Sequence, residues 1–386
     1  MLSANMRVEM STDSVSVNGK SCYTYLACKT QRSTDAFNAD ASSKDNHWIG
    51  VNDPMDNSTT LPPACYHVAA ITPPLSSIFK PQKTILSLFS GGGGLDIAAS
   101  REGFSIVESH EWDATACAAY ERALGLPIQE TDLARIDPYS LADTDIIIGG
   151  PPCQEFSHAN VRGCIDGVKN LWPATLKIVK VKRPSIVIFE NVTGLVYRAK
   201  NRDYFRFILD TLASYGYAVE SRILNAANYG VPQTRERVFI VGRLDGCAWS
   251  WPTPTHTETG DMFAQRWVSW RDALPDIEKT SPLKTMPKWV TDRPTYQPLP
   301  QNALFNVRDQ FKDILHRDAS KPAFTVTSEG VMRSRFVIDG TVYGGTTRAM
   351  TRLQTLPDVD MPSHVIGNAV PPLLGQSLFR AIKGEA

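Results

Sequence analysis

Short apolar runs that alternate with helical segments constrain this chain more than any other feature. Residues 85–89, 105–108, 145–148, 185–189 and 238–241 read as strands, each bounded by turn residues. Between them, 95–102, 113–124, 171–182 and 204–215 read as helices, and in the last of these Phe205, Ile208, Leu209 and Leu212 recur at helical spacing. Such alternation predicts a doubly wound α/β fold around a mostly parallel sheet. Ligands of these sheets bind at the carboxyl ends of the strands, so function is sought in the residues that follow each run.

The first run leads into Phe89-Ser90-Gly91-Gly92-Gly93-Gly94, a turn that opens a helix and lets backbone approach a ligand closely. It is not GxGxxG and lacks the lysine of a P-loop, so phosphate cradling is not indicated. The second run ends in His110-Glu111-Trp112-Asp113, an acid able to accept from ribose hydroxyls and an indole able to stack on a purine. Thr131-Asp132-Leu133 offers a carboxylate for an exocyclic amine and an apolar wall. A flexible turn, a surface glutamate and a core tryptophan are the plain alternatives, but together these residues favour a nucleoside-bearing cofactor.

The third run ends in Gly149-Gly150-Pro151-Pro152-Cys153-Gln154. The two prolines stiffen the chain ahead of the thiol, which suits a presented nucleophile better than a packing residue. The fourth ends in Glu190-Asn191-Val192, where burial would raise the carboxyl pKa towards neutrality. Gln233-Thr234-Arg235-Glu236-Arg237 then puts two arginines at the mouth of the last strand, one for a substrate oxygen and one for structure or phosphate.

Composition sets the limits. Of 386 residues 42% are hydrophobic and 21% charged, with zero formal net charge, which is ordinary for a globular protein and unlike a strongly basic nucleic-acid binder. No apolar run nears the roughly 20 residues of a membrane span and the N-terminus lacks a signal-peptide pattern, so a soluble, intracellular protein is expected. The seven cysteines are scattered and never spaced CxxC, which predicts free thiols and no structural zinc. Residues 1–80, rich in Ser, Thr, Asn and Asp, predict a poorly ordered extension, either a tail or the product of a mis-chosen start codon. Residues 246–318, dense in Trp, Pro and Thr, predict an irregular lobe, largely β or loop-built.

In this order these motifs are those of a known family: from about Thr84 onward the chain resembles the DNA cytosine-5 methyltransferases of bacterial restriction–modification type. The resemblance rests on Phe89–Gly94, His110–Asp113, Pro151–Gln154, Glu190–Val192 and Gln233–Arg237, then on Lys321-Pro322-Ala323-Phe324-Thr325-Val326-Thr327 and Gly367-Asn368-Ala369-Val370-Pro371-Pro372. It implies a Rossmann-like S-adenosylmethionine-dependent domain over 81–245, a target-recognition lobe over 246–318, and a segment 319–386 that completes the lobe and returns to the catalytic domain. Two departures stand out: the stretch 330–361 is short, and the extension has no counterpart in the family's minimal form.

The resemblance further implies that Cys153 adds to C6 of a flipped-out cytosine, behind Pro152 in the presenting loop. Glu190 would hold N3 and the amine, Arg237 would meet O2, and Arg235 would help hold the loop or substrate. Phe89, Gly91, Gly93, Glu111, Trp112, Asp132, Leu133, Leu171 and Asn368 would contact S-adenosylmethionine, with no metal. Residues 154–170 would form a closing loop. The implied partners are double-stranded DNA and a companion restriction endonuclease, with a monomeric enzyme in the cytoplasm, associated with the nucleoid through DNA. Acidic and basic residues are equal in number between Gly246 and His316, so DNA contact there depends on local placement. The rivals are a transfer-RNA methyltransferase, whose Cys-Phe-Thr motif is absent after the arginines, a catalytically silent DNA-binding paralogue, and a nicotinamide dehydrogenase, which leaves Cys153 and the arginines unexplained.

Overall fold

A computed structural model describes residues 15–17, 20–22, 82–152, 170–277, 282–283, 288–292, 300, 302–308, 313–328 and 334–384. The first strands are β1 (Thr84–Leu88), β2 (Ser105–Glu111), β3 (Gln129–Glu130) and β4 (Ile146–Gly149). They are followed by β5 (Ile186–Val192), β6 (Ala218–Asn225) and β7 (Glu236–Arg243). Together they form one seven-stranded sheet in the order β3-β2-β1-β4-β5-β7-β6. The first five are parallel, and β7 runs antiparallel to both its neighbours. The order reverses between β1 and β4, so the glycine turn and the proline pair leave the sheet side by side at its switch point.

The central strands β1, β4 and β5 are largely apolar because both of their faces are covered. Ile85, Ile146, Ile148 and Ile188 face a core built with α1 (Gly94–Arg101) and α7 (Pro372–Lys383). Leu86, Leu88, Ile147, Val187 and Phe189 face the opposite core. There α3 (Trp172–Lys182) and α4 (Arg202–Ser214) pack through Trp172, Leu176, Ile208 and Leu212. The helix α2 (Ala114–Leu124) starts where the Asp113 side chain accepts from the Thr115 N–H and stops at Gly125 in the left-handed region. These elements match the sequence expectation closely. The strand β6 was not anticipated: it is a half-exposed edge strand whose residues, Ala-Val-Glu-Ser-Arg-Ile-Leu-Asn, carry no continuous apolar signal.

The stretch read as an irregular lobe contributes three strands to a second sheet. Its strands are β8 (Pro282–Leu283), β9 (Ala303–Arg308), β10 (Asp313–Asp318), β11 (Arg335–Ile338) and β12 (Thr341–Gly344). All pairs are antiparallel, in the order β8-β12-β11-β9-β10. The sheet thus draws strands from both sides of residue 319. Trp270, Leu304, Phe336 and Met350 pack with Ile97 of α1 and Ala116 and Ala119 of α2, so this sheet shares a core with the first helices. Of the N-terminal extension, only the antiparallel pairing of Val15–Val17 with Lys20–Cys22 belongs to the described residues. Among the described residues no helix is long and apolar enough to cross a membrane, and no cluster of metal-ligating side chains occurs.

One buried acid supports the start of α1. The Asp96 carboxylate accepts from Ser87 Oγ at 2.9 Å, Tyr120 Oη at 3.1 Å and Ser109 Oγ at 3.3 Å. Burial outweighs these bonds and pushes its pKa up from the ordinary 3.8 to about 6. The folded state therefore holds the proton more tightly than the unfolded one. The resulting stabilisation is complete below pH 3.8 and disappears as pH rises through about 6. We predict that Asp96→Asn removes a pH-dependent difference of about 3 kcal/mol across this window, measured as wild type minus variant in urea titrations. Parallel stability curves would contradict it.

Candidate active site

The glycine turn combines two different demands. Phe89, Gly91 and Gly93 have positive φ values of 55°, 55° and 78°. A Cβ on Gly94 would lie 2.1 Å from the Val370 carbonyl oxygen, and one on Gly92 would lie 2.7 Å from Val365 Cγ1. Those glycines are required by packing against the C-terminal segment. Gly91 differs, since a Cβ there would meet nothing within 4 Å, so its backbone faces open space.

Glu111, 8% exposed at the end of β2, organises the rim of that space. Its Oε2 accepts from the Gly91 N–H at 2.9 Å, while Oε1 accepts from the N–H groups of Trp112 at 2.8 Å and Asp113 at 3.0 Å. A carboxylate has about four lone-pair sites, so these bonds leave capacity for hydroxyl donors. The Trp112 side chain is 70% exposed beside it, a large apolar surface without cover. Asp113 then accepts from Thr115 and pairs with His364 Nε2 at 2.8 Å, joining this rim to α6 (Ser363–Asn368), whose last residue is exposed.

The other predicted cofactor positions divide. Asp132 is exposed and pairs with Arg135 at 3.3 Å, with its Oδ1 accepting from the Ala134 N–H. Leu133 is 3% exposed and packs with Leu86, Leu88 and Trp172, so the structure uses it as core. Leu171 is half-buried at the start of α3, where its carbonyl accepts from Thr175.

Across the switch point, Glu190 lies near the carboxyl end of β5, ahead of buried Asn191, and is 8% exposed. Arg237 Nε lies 2.9 Å from Glu190 Oε1. This pairing follows from the sheet register, in which Glu190 faces Phe239 and Val192 faces Arg237. Burial raises the Glu190 pKa, with the charges of Arg237 and Arg235 pulling the other way. Oε2 points towards the neighbouring loop: a Cβ on Gly150 would lie 3.5 Å from it. The loop is tied there by Asn191, whose Nδ2 donates to the Pro151 carbonyl at 3.1 Å. The sequence motif Glu190-Asn191-Val192 gives Asn191 no task of its own; its place directly after Glu190 at the strand end is the available signal. Pro151 is buried and Pro152 half-buried. Cys153 and residues 154–169, which include most of the expected closing loop, lie outside the described residues.

Arg235 takes a different place from Arg237. It is 1% exposed, with Nη1 donating to the Val326 carbonyl at 2.8 Å and Nη2 to the Gly367 carbonyl at 2.9 Å. Its guanidinium is committed to backbone, so among the two arginines Arg237 is the one beside Glu190.

The structure thus sets an open glycine turn with an acid and a bare indole beside a largely buried acid–arginine pair behind a proline loop. The profile of the C-5 cytosine-specific DNA methylases matches residues 83–384. The chain belongs to that family. The type II methyltransferase M.NgoFVII of Neisseria gonorrhoeae is 32% identical over 328 residues, covering 77% of this chain and 85% of the relative. M.AplI of Arthrospira platensis is 31% identical over 319 residues, covering 80% and 88%. A putative DNA modification methyltransferase encoded within a prophage in Escherichia coli superposes with a TM-score of 0.59 at 18% identity, covering 78% of this chain and 99% of that one. The fold is thus the Rossmann-like one of these methyltransferases, and the activity is transfer of a methyl group to C5 of cytosine in DNA. The family takes that methyl from S-adenosylmethionine.

The glycine geometry yields a stability prediction for this methyltransferase. Gly94→Ala should cost about 3 kcal/mol, because a Cβ would collide with backbone oxygen. Gly91→Ala should cost about 1 kcal/mol, the penalty of a left-handed φ alone. Chemical denaturation of both variants checks the order, and equal losses would refute the division of roles within the turn.

Proposed function

We propose that this enzyme methylates cytosine in duplex DNA through a covalent Cys153–C6 adduct, with Glu190 and Arg237 activating a flipped-out base. The observation that carries this reading is the buried Glu190–Arg237 pair at 2.9 Å, with the Pro151 carbonyl held beside it by Asn191. Cys153 follows Pro152 directly in the sequence.

The residues at the glycine turn fit S-adenosylmethionine. Gly91 leaves room for backbone approach, Glu111 keeps acceptor capacity for ribose hydroxyls, and exposed Trp112 offers a face for adenine. Phe89, Gly93, Asp132 and Asn368 would complete the contacts, with Leu171 at the α3 side. Leu133 would act only as support, given its core position. Bound there, S-adenosylmethionine supplies a methyl group on a positively charged sulfur.

The chain's own groups prepare the ring. The Cys153 thiolate attacks C6, forming the S–C bond and pushing the C5–C6 electron pair onto C5. Glu190, its pKa raised by burial, holds a proton for N3 and accepts from the exocyclic amine. Arg237 donates to O2, where negative charge gathers. Once C5 carries the methyl group, solvent water accepts the C5 proton, the C5–H electron pair re-forms the C5–C6 double bond, and the C6–S bond breaks to release the Cys153 thiolate. A stacked base exposes neither C6 nor N3 to such groups, which is why the base must be flipped.

Residues 81–245 would be the catalytic domain and 246–318 the target-recognition lobe, completed from 319–386. Arg235 would brace the catalytic strand from behind. We further infer a monomeric enzyme acting on DNA in the cytoplasm and paired with a restriction endonuclease of the same specificity, as the type II relatives suggest. Residues 1–75 should be dispensable.

We predict that Cys153→Ala abolishes cytosine methylation, read by bisulfite sequencing of DNA from expressing cells; methylation persisting in that variant would refute the adduct. Glu190→Gln should lower kcat by about 100-fold while cofactor affinity stays within about twofold. A matching loss of cofactor affinity would move Glu190 out of the base pocket. A chain lacking residues 1–75 should retain methyl transfer, and its inactivity would overturn the dispensable extension.

A further inference from the structure

The segment that carries Asn368 is held from beneath by a buried amide that the reaction scheme does not use. Helix α6 ends at Asn368, and the last carbonyls of a helix need donors from elsewhere. Pro371 and Pro372, which follow, have no N–H to offer. The Ala369 N–H donates to the Val365 and Ile366 carbonyls, and two side chains supply the remaining donors. Gln354 Nε2 donates to the Ile366 carbonyl at 2.7 Å and to the Ala369 carbonyl at 3.3 Å, and Arg235 Nη2 donates to the Gly367 carbonyl. The backbone on both sides of Asn368 is thereby fixed while its own side chain stays exposed.

Gln354 caps the end of α5 (Thr347–Leu353) and is fully buried. Its Oε1 accepts from Gln233 Nε2 at 2.8 Å. Gln233 in turn donates to the Leu353 carbonyl at 2.7 Å and accepts from the Val326 N–H at 2.9 Å. Every polar side-chain atom of the two glutamines has a partner, the condition under which a buried network specifies one geometry. Gln233 lies just ahead of Arg235 and Arg237. A continuous set of hydrogen bonds therefore links the strand that presents Arg237 to the helix end that presents Asn368.

The same helix end touches the glycine turn at two points. Val365 meets the Gly92 position and Val370 meets the Gly94 position. Releasing the carbonyls between these points would move Asn368 relative to Gly91 and Glu111. We propose that Gln354 is a positioning residue for S-adenosylmethionine binding, acting through the carbonyls of Ile366 and Ala369 to hold Asn368 at the cofactor's edge. The proposal rests on the reading of Asn368 as a cofactor contact.

The test is isothermal titration of the full chain with S-adenosylhomocysteine, for wild type, Gln354→Met, Asn368→Ala and the double variant, with thermal melts alongside. Gln354→Met keeps length and apolar volume but removes both donors. It should weaken binding about tenfold while leaving KM for DNA within about twofold. In the Asn368→Ala background the same change should weaken binding by no more than about twofold, because its route is already lost. Wild-type affinity in a folded Gln354→Met, multiplicative losses in the double variant, or an equal rise in KM for DNA would each overturn the proposal. If Asn368→Ala alone binds as wild type, the reading of Asn368 fails and this route fails with it. Should Gln354→Met not fold, Gln354→Glu, which keeps the acceptor for Gln233, takes its place in the cycle. Failure of both to fold would reduce Gln354 to a stability role and also overturn the proposal.

Discussion

The contact on which the rest of the molecule depends is the meeting of Gly94 with the Val370 carbonyl. No side chain fits between them, since a Cβ would stand 2.1 Å from that oxygen. Two elements from opposite ends of the described chain are thereby pressed together, and Gly375 lets α7 settle against Ala98 of α1 in the same way. The turn that opens the first helix is consequently a composite, with β1 and β2 on one side and the returning C-terminal segment on the other. Its exposed edge is left to Gly91, Glu111 and Trp112.

A second constraint comes from placing an acid in a dry strand. Taking both Glu190 and Arg237 out of water costs several kcal/mol per ion before their attraction offsets it, so such a pair is weak evidence of stabilisation. The fold accepts that cost where β5 and β7 run antiparallel and bring the two side chains together. The sheet register holds the pair oriented and largely removed from water. Asn191, bonded to the Pro151 carbonyl, sets the distance between this pair and the loop that leads to the thiol.

Much of this was legible in the chain. Continuous apolar runs such as Ile146–Ile148 announced strands buried on both faces, and the cores on either side of the sheet take alternate residues of each run. The candidate site residues follow those runs because strand ends are where side chains leave the sheet. The edge strand β6 was not legible, since half-exposed positions tolerate Glu, Ser and Arg and erase the pattern. The register of the second sheet was hidden for another reason: short strands such as Pro282–Leu283 are too brief to carry periodicity, and their partners lie far along the chain.

The sequence by itself determined the order of the buried strands and the helices between them, the family, and the identity of the groups at those strand ends, because local periodicity and motif spacing are properties of neighbouring residues. Only the tertiary structure decided which of two similar arginines lies beside Glu190. Arg235 and Arg237 lie two positions apart, yet one is committed to the carbonyls of Val326 and Gly367 and the other to Glu190. The same holds for Leu133, whose burial against Leu86 and Trp172 makes it core, and for Gln354, which has meaning only beneath Asn368. Each of these assignments depends on partners brought close by folding, and no spacing along the chain encodes them.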